Sequence, residues 1–433
     1  MIFPLKKLPF LARATCMLMS LIMVACCVLC GCNTPQTPDT STTDDDVNNY
    51  ISLTDGIKAH PVPERVADDA FRDSVKSFAS DLMLTSIHGT ENIAVSPLTL
   101  MNSLLLMSNG AAPMTADEIM GLFSKKITQS QFNEYMATYM ASLKQNANCE
   151  ISSSFWINQK ISAFTPAESF LQLNANYYLA DGFSYDGSSV NFAGIINHWI
   201  TNNSGFKSLS IPVSQASTGA SIITVSGLYG NMQWVVPFTS TQKGIFKTPD
   251  GETDVTYMYS TESELINLGN AKGFVKTMTN GCKVAAIIPN EDVKLSSVVE
   301  LIDFAGISSI LNYAVKVDGF TVKIPEFSYQ KISDCVDILS KCGLDRALSA
   351  EKSGFGNLSE NSAPLYISNI YSAVSVSFGK SGVTVGGASS GADGTASADA
   401  TTIEADLTYD HPFIYVVYDP DGVPLFIGNV VQP

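Results

Sequence analysis

The hydrophobic pattern is sharpest near the C-terminus. Ile403, Ala405, Leu407 and Tyr409 alternate with Glu404, Asp406 and Thr408, which predicts a half-buried strand over Ile403 to Tyr409. Phe413 to Tyr418 is almost wholly apolar, the pattern of a strand covered on both faces. Asp419-Pro420-Asp421-Gly422 places Pro second and Gly fourth, as a type I turn prefers, and Leu425 to Val431 returns as the partner strand. Near the other end, Phe71, Val75, Phe78 and Leu82 recur at helical spacing. Ordered structure is therefore expected to begin near Ala67 with an amphipathic helix. Thr115 to Phe123 and Cys335 to Leu339 also read as helical, while Ile222 to Leu228, Val284 to Ile288, Val315 to Phe327 and Tyr371 to Phe378 read as strands. The two kinds of run are interleaved without regular βαβ alternation, and no internal repeat is found. The expected class is α+β in one large domain, residues 67–433.

One stretch breaks the pattern. Of the 24 residues from Gly379 to Thr402, nineteen are Gly, Ala, Ser or Thr, and none is aromatic or Pro. Loops beyond roughly 12–15 residues inside a compact domain are uncommon and usually functional or disordered. A small-residue loop between two buried strands suits a bait that can be cut and can then pack as a strand itself. A second polar stretch, residues 32–66, is rich in Asn, Thr, Pro, Asp and Ser and contains Asp44-Asp45-Asp46. Such a composition cannot offset its ordering entropy, so a disordered tether is expected there.

The N-terminus bears on location. Lys6, Lys7 and Arg13 precede Met17 to Leu29, a 13-residue run that is apolar but for one Ser. This is the layout of a secretory signal, too short for a transmembrane helix of about 20 residues. Leu29-Cys30-Gly31-Cys32 resembles a bacterial lipobox, which implies removal of residues 1–31 and lipid on Cys32. The mature chain is thus expected at the cell envelope, lipid-anchored and extracytoplasmic, on the periplasmic face or the cell surface. Losing residues 1–31 would deepen the net charge from −16 to −19, which argues against nucleic acid as a partner. Five of the nine Cys lie in the first 32 residues. The rest, Cys149, Cys282, Cys335 and Cys342, form neither a disulfide framework nor a C-x-x-C zinc pair and read as small buried residues.

Candidate catalytic chemistry is sparse. His60, His88, His198 and His411 make no H-E-x-x-H, and no glycine-rich phosphate loop or EF-hand occurs. The single G-x-S-x-G, Gly387 to Gly391 around Ser389, lies inside the loop and is followed by Ala, Asp and Gly. A nucleophile elbow needs a strand before the Ser and a helix after it, so Ser389 is not read as catalytic. His411, before Pro412 at the start of a buried strand, reads as structural. No metal, cofactor or enzymatic activity is expected; a binding or inhibitory protein is.

Six segments, in order, resemble the serpin family from about Ala67 to Pro433. They are Asn92 to Pro97 with Gly110-Ala111, Asn197-His198-Trp199-Ile200, Trp234 with Pro237-Phe238, Val322 to Phe327, Ser353 to Ser359, and Asp410 to Tyr418 with Leu425 to Pro433. The resemblance implies three β-sheets, eight or nine helices and an exposed reactive loop at about 379–402. It also implies suicide-substrate trapping by a monomer. A target protease cuts the loop and forms an acyl-enzyme, and the freed loop enters the main sheet as a new strand. With Gly382 as the hinge glycine, the hinge is Gly382, Val383, Thr384, Val385, Gly387 and Ser389. Its inward set, Val383, Val385, Gly387 and Ser389, is uncharged. The family's hinge acids are absent. Ser226 and Tyr371 stand where the family usually has Asn and His beneath the opening sheet, whereas Ser96 and Thr99 keep the hydroxyls. Counting from Gly382 puts the scissile bond at Ala396-Ser397; counting back from Pro412 puts it at Thr401-Thr402. The first is favoured. No Lys, Arg or aromatic lies between them. That suits the shallow primary pocket of elastase-like or subtilisin-like serine proteases, with papain-like cysteine proteases as a second class. The alternative is a non-inhibitory serpin-fold binding protein on the envelope.

Overall fold

The computed structural model describes residues 50–159, 164–186, 192–203, 220–359, 365–386 and 405–433. The chain begins with β1 (Tyr50–Ser52), α1 (Asp69–Ser86), β2 (Ile93–Val95), α2 (Pro97–Ser108), α3 (Pro113–Gly121) and α4 (Gln129–Ser142). It continues through β3 (Cys149–Asn158), α5 (Glu168–Tyr178), β4 (Asp181–Tyr185), α6 (Phe192–Asn203), β5 (Ile222–Gln233), β6 (Ser240–Thr248), β7 (Gly251–Asn267), β8 (Ala271–Thr277) and β9 (Lys283–Pro289). The remainder is α7 (Leu295–Ala305), β10 (Ala314–Pro325), β11 (Phe327–Asp334), α8 (Val336–Lys341), β12 (Ile367–Phe378), β13 (Gly382–Val385), β14 (Leu407–Thr408), β15 (Phe413–Tyr418) and β16 (Pro424–Val430). These elements make an α+β fold with eight α-helices among the described residues.

Local chemistry explains the helices that matter most. Asp68 caps α1 by accepting the Phe71 N–H at 3.0 Å, and Phe71, Val75, Phe78 and Leu82 are all fully buried, as their spacing predicts. Ser96 caps α2, Pro97 occupies its first turn, and every residue of this helix is buried. A helix covered all round must run through the middle of the core. Its polar residues, Thr99, Asn102 and Ser103, then need partners inside the protein.

The strands form two hydrogen-bonded sheets. One has the order β1-β4-β3-β5-β13-β12-β11; the other runs β14-β10-β7-β8-β9-β15-β16-β2, with β6 added on β7. Two of the three expected sheets are continuous because the 17-residue β7 belongs to both. Its first part pairs with β6 and its last three residues pair with β8. The predicted strand Val315 to Phe327 is two strands. The break falls at Pro325-Glu326, where the Glu326 N–H donates to the Thr256 carbonyl at 2.8 Å and the chain crosses between sheets. At the C-terminus, β15 is buried along its whole length between β9 and β16. Gly422 closes the expected turn with an N–H to the Asp419 carbonyl at 3.1 Å.

One N-terminal expectation changes. Cys32 and the signal segment lie outside the described residues, but the described body starts at Tyr50 rather than Ala67. Ser52 to Tyr50 pairs antiparallel with Phe183 to Tyr185 on β4, and the Tyr50 ring sits edge-on to Trp156 and Phe183 at 5.8 and 5.4 Å. Further on, the Leu53 N–H donates to Gly182, and Arg65 pairs with Glu134 at 2.7 Å. The few apolar residues Tyr50, Leu53 and Ile57 suffice because they cover the edge of a sheet instead of forming a core of their own.

The cysteines behave as expected among the described residues. All four are free; Cys149, Cys282 and Cys335 are buried and Cys342 is partly so. Burial pushes the Cys149, Cys282 and Cys335 thiols up to about 12, which leaves little thiolate to react.

Candidate functional site: the loop hinge and its slot

The hinge is already a strand. Gly382–Val385 lies between β5 and β12 and pairs antiparallel with both. Val383 stands opposite Met232 and Phe378, and Val385 stands opposite Gly230 and Val376. Both valines are buried, as an uncharged inward pair should be, while Gly382 and Thr384 are half-buried. Gly386 extends the contact by donating to the Ser375 carbonyl at 2.8 Å. Glycine is required at 382, because a Cβ there would lie 2.1 Å from the Met232 carbonyl oxygen.

Beneath the hinge the two neighbours close on each other. Thr224 to Gly227 on β5 pairs parallel with Ile370 to Ala373 on β12. Ser226 is opposite Ser372 in this pairing.

Helix α2 ties the parting strands together. Ser103 Oγ and Ser226 Oγ are 2.7 Å apart, and Ser226 donates to the Thr99 carbonyl at 3.0 Å. Thr99 Oγ1 lies 3.3 Å from Ser372 Oγ, and Asn102 donates to Ser153 on β3 at 2.6 Å. The β12 residue facing α2 is thus Ser372. Tyr371, which the resemblance placed there, points to the opposite face and packs with Trp156, Tyr185, Ile223 and Val225. Alternation along a strand forces this one-residue correction.

The upper end of the slot is roofed by aromatics and an ion pair. Trp234 donates through Nε1 to the Gly379 carbonyl and through its backbone to Ser381, and the Phe238 N–H donates to Lys380. The Trp234 and Phe378 rings meet at 5.1 Å. Lys276 is only 3% exposed; it bonds Glu262 at 2.5 Å and lies 4.5 Å from the Phe238 ring centroid. Sequence reasoning missed this pair. Lys276 shares the face of the exposed Lys272, but the Trp234 and Phe238 rings pack against its ammonium.

The far side of the loop is held by a shorter seam. Of the predicted strand Ile403 to Tyr409, Leu407–Thr408 pairs parallel to Val322 and Lys323 of β10, and Ile403 and Glu404 lie outside the described residues. Leu407 and Tyr409 are buried as their alternation predicts. The Asp406 carboxylate takes the Thr321 N–H at 2.7 Å, which replaces a backbone ladder bond. Asp410 binds Lys247 at 3.0 Å and His411 Nδ1 at 2.8 Å, while His411 Nε2 faces the Pro289 carbonyl. The His411 hydrogen bond, and after it Lys247, hold the Asp410 carboxyl well below the usual carboxylate range. His411 is therefore structural. Gly387, Ser389, Ala396, Ser397, Thr401 and Thr402 lie outside the described residues.

Comparison with known proteins agrees with this geometry. A family profile described as Serpin (serine protease inhibitor) matches residues 73–433. The chain is 25% identical over 383 residues to Serpin-ZX of Arabidopsis thaliana, covering 81% of this chain and 94% of that protein. It is similar to the thermophilic serpin tengpin in its native state, with TM-score 0.77, 26% identity and coverage of 89% and 100%. The latent state of tengpin gives TM-score 0.70 at 24% identity, covering 86% of this chain and 100% of that one. The chain belongs to the serpin family. Members of this family are in general protease inhibitors that bind target proteases and are not enzymes.

Proposed function

We propose that this serpin inhibits proteases as a suicide substrate, its cut loop entering the sheet between β5 and β12. The observation that carries the reading is the hinge. Four residues already occupy the slot, the uncharged Val383 and Val385 pointing inward, and the next residues of the inward set in the sequence, Gly387 and Ser389, are small and uncharged as well. Each inserted residue bonds two neighbours where one ladder stood before, so the released loop gains by lengthening β13.

The target follows from the window Ala396 to Thr402, which offers only Ala, Ser, Thr and Asp399. A protease with a shallow primary pocket is expected, elastase-like or subtilisin-like, with papain-like enzymes second. Incubation with a panel of such enzymes should give covalent complexes stable on a denaturing gel. Mass spectrometry should find a released C-terminal peptide starting between Ser397 and Ile403. Rapid trapping of trypsin without elastase would refute the class. Clean cutting with no complex from any enzyme would favour a non-inhibitory binding protein.

The Leu29 to Cys32 segment supports an envelope location, with the mature chain anchored through lipid on Cys32. Each buried CH₂ of an acyl chain adds about 0.8 kcal/mol of membrane affinity. Metabolic labelling with a palmitate analogue should mark the protein and should fail for Cys32→Ala; persistent labelling of that variant would remove the anchor from this account.

A further inference from the structure

The strand that enters the slot starts from a tight turn. Gly379 and Gly382 exchange both backbone bonds, at 3.0 and 3.3 Å, around Lys380 and Ser381, so β12 and β13 form a hairpin. Gly382, the first residue of β13, follows this turn directly. The place of the turn therefore sets the register in which β13 meets β5.

Three consecutive carbonyls of the turn are held from outside the hairpin. Gly379 accepts from Trp234 Nε1, Ser381 from the Trp234 backbone N–H and Lys380 from the Phe238 N–H, each at 3.0 Å. The segment that carries these donors is itself fastened to the end of β8. The Val235 N–H donates to the Thr277 carbonyl at 3.1 Å, and the Thr279 N–H donates to the Gln233 carbonyl at 2.8 Å. That fastening sets Lys276, the residue before Thr277, beside both rings. Its ammonium lies 4.5 Å from the Phe238 centroid and 5.6 Å from the Trp234 centroid. Its counter-charge, Glu262, also accepts from Ser260 Oγ at 2.5 Å. Apolar residues of the same volume fill such a space as well as a buried ion pair does, or better. What the cation adds is direction, because one ammonium attracts two ring faces at once.

We propose that Lys276 is a positioning residue for loop insertion: by holding the Trp234 and Phe238 rings it fixes the turn from which β13 grows. The inference rests on the inhibitory reading above. Without the cation the rings shift, the turn carbonyls lose their aligned donors, and the cut loop enters later. More of the acyl-enzyme is then hydrolysed before it is trapped.

Lys276→Met combined with Glu262→Gln keeps the volume and removes both charges, so this paired variant should melt close to the wild type. Lys380 is the last Lys or Arg of the chain, so a Lys-specific endoprotease that cuts the turn releases residues 381–433 as one fragment. Uncut full-length wild type should resist this cut. The paired variant should take it about fivefold faster, the factor that losing about 1 kcal/mol of cation–π attraction gives. Its ratio of covalent complex to cleaved inhibitor should fall by a similar factor. Trp234→Phe, which keeps a ring over Lys276 and loses the Nε1 donor, should open the same bond. Lys276→Arg, which keeps the cation, should stay nearer to the wild type in both measurements. The role of Lys276 is overturned by a paired variant that does not fold, by a turn that stays protected in it or in Trp234→Phe, or by an unchanged ratio although the turn opens. If the wild type traps no enzyme, the inhibitory reading falls, and cleavage at Lys380-Ser381 still decides whether Lys276 holds the turn.

Discussion

Val383→Arg is expected to keep the fold and lose covalent trapping, so that a target protease cuts the loop and leaves. Val383 is fully buried between Met232 and Phe378. A guanidinium there meets aromatic carbon and lies below a roof that already holds the Lys276 cation. Burying an unpaired charge costs several kcal/mol. The hinge contributes only a handful of ladder bonds, each worth about 0.5–1.5 kcal/mol net, so the substituted hinge leaves the sheet. Insertion then starts with its first step blocked, and hydrolysis of the acyl-enzyme wins. The readout is the ratio of complex to cleaved inhibitor on a denaturing gel, expected to fall at least tenfold, with Val383→Ala as the control that keeps trapping. A variant that traps as efficiently as the wild type would sink the insertion step.

Cutting the loop between Ala396 and Thr402 is expected to stabilise the protein strongly. The intact sheet has a single ladder between β5 and β12 beneath Gly386. Lengthening β13 through Gly391 replaces that ladder with two, a net gain of about five hydrogen bonds, or roughly 2–8 kcal/mol. At about 2 °C per kcal/mol for a large domain, the melting temperature should rise by roughly 10 °C with the mass nearly unchanged. Scanning calorimetry before and after a clean nick measures this. An unchanged melting temperature would point to a serpin fold that does not insert its loop.

The sequence revealed the ends of this molecule better than its middle. Strand β15 was legible because six consecutive apolar residues have no other use, and α1 because its four core residues keep strict helical spacing. That Val383 and Val385 pack inward was legible from their uncharged side chains at alternate positions after Gly382. The hinge's prior insertion was not, since that depends on how far β5 and β12 stand apart above Gly227 and Ala373, which no local pattern encodes. Residues 50–66 were misread because composition scores a segment by what it could bury alone, and Tyr50 uses a core built by Trp156 and Phe183. Tyr371 and Ser372 were exchanged because a family alignment is blind to a one-residue step in strand parity. Lys276 was invisible because its partners, Glu262, Trp234 and Phe238, lie outside its own strand.

The two-residue seam at Leu407–Thr408 has a mechanical meaning. The loop hangs between a ladder that can grow at one end and this short fastening at the other, reinforced by the Asp406 carboxylate and the Asp410 contacts with Lys247 and His411. While the chain is uncut, every residue drawn into the slot must be surrendered by the loop, and tension passes to the seam. On the insertion mechanism proposed above, the working lifetime of the uncut molecule is set by how long a few contacts at the edge of β10 resist that pull.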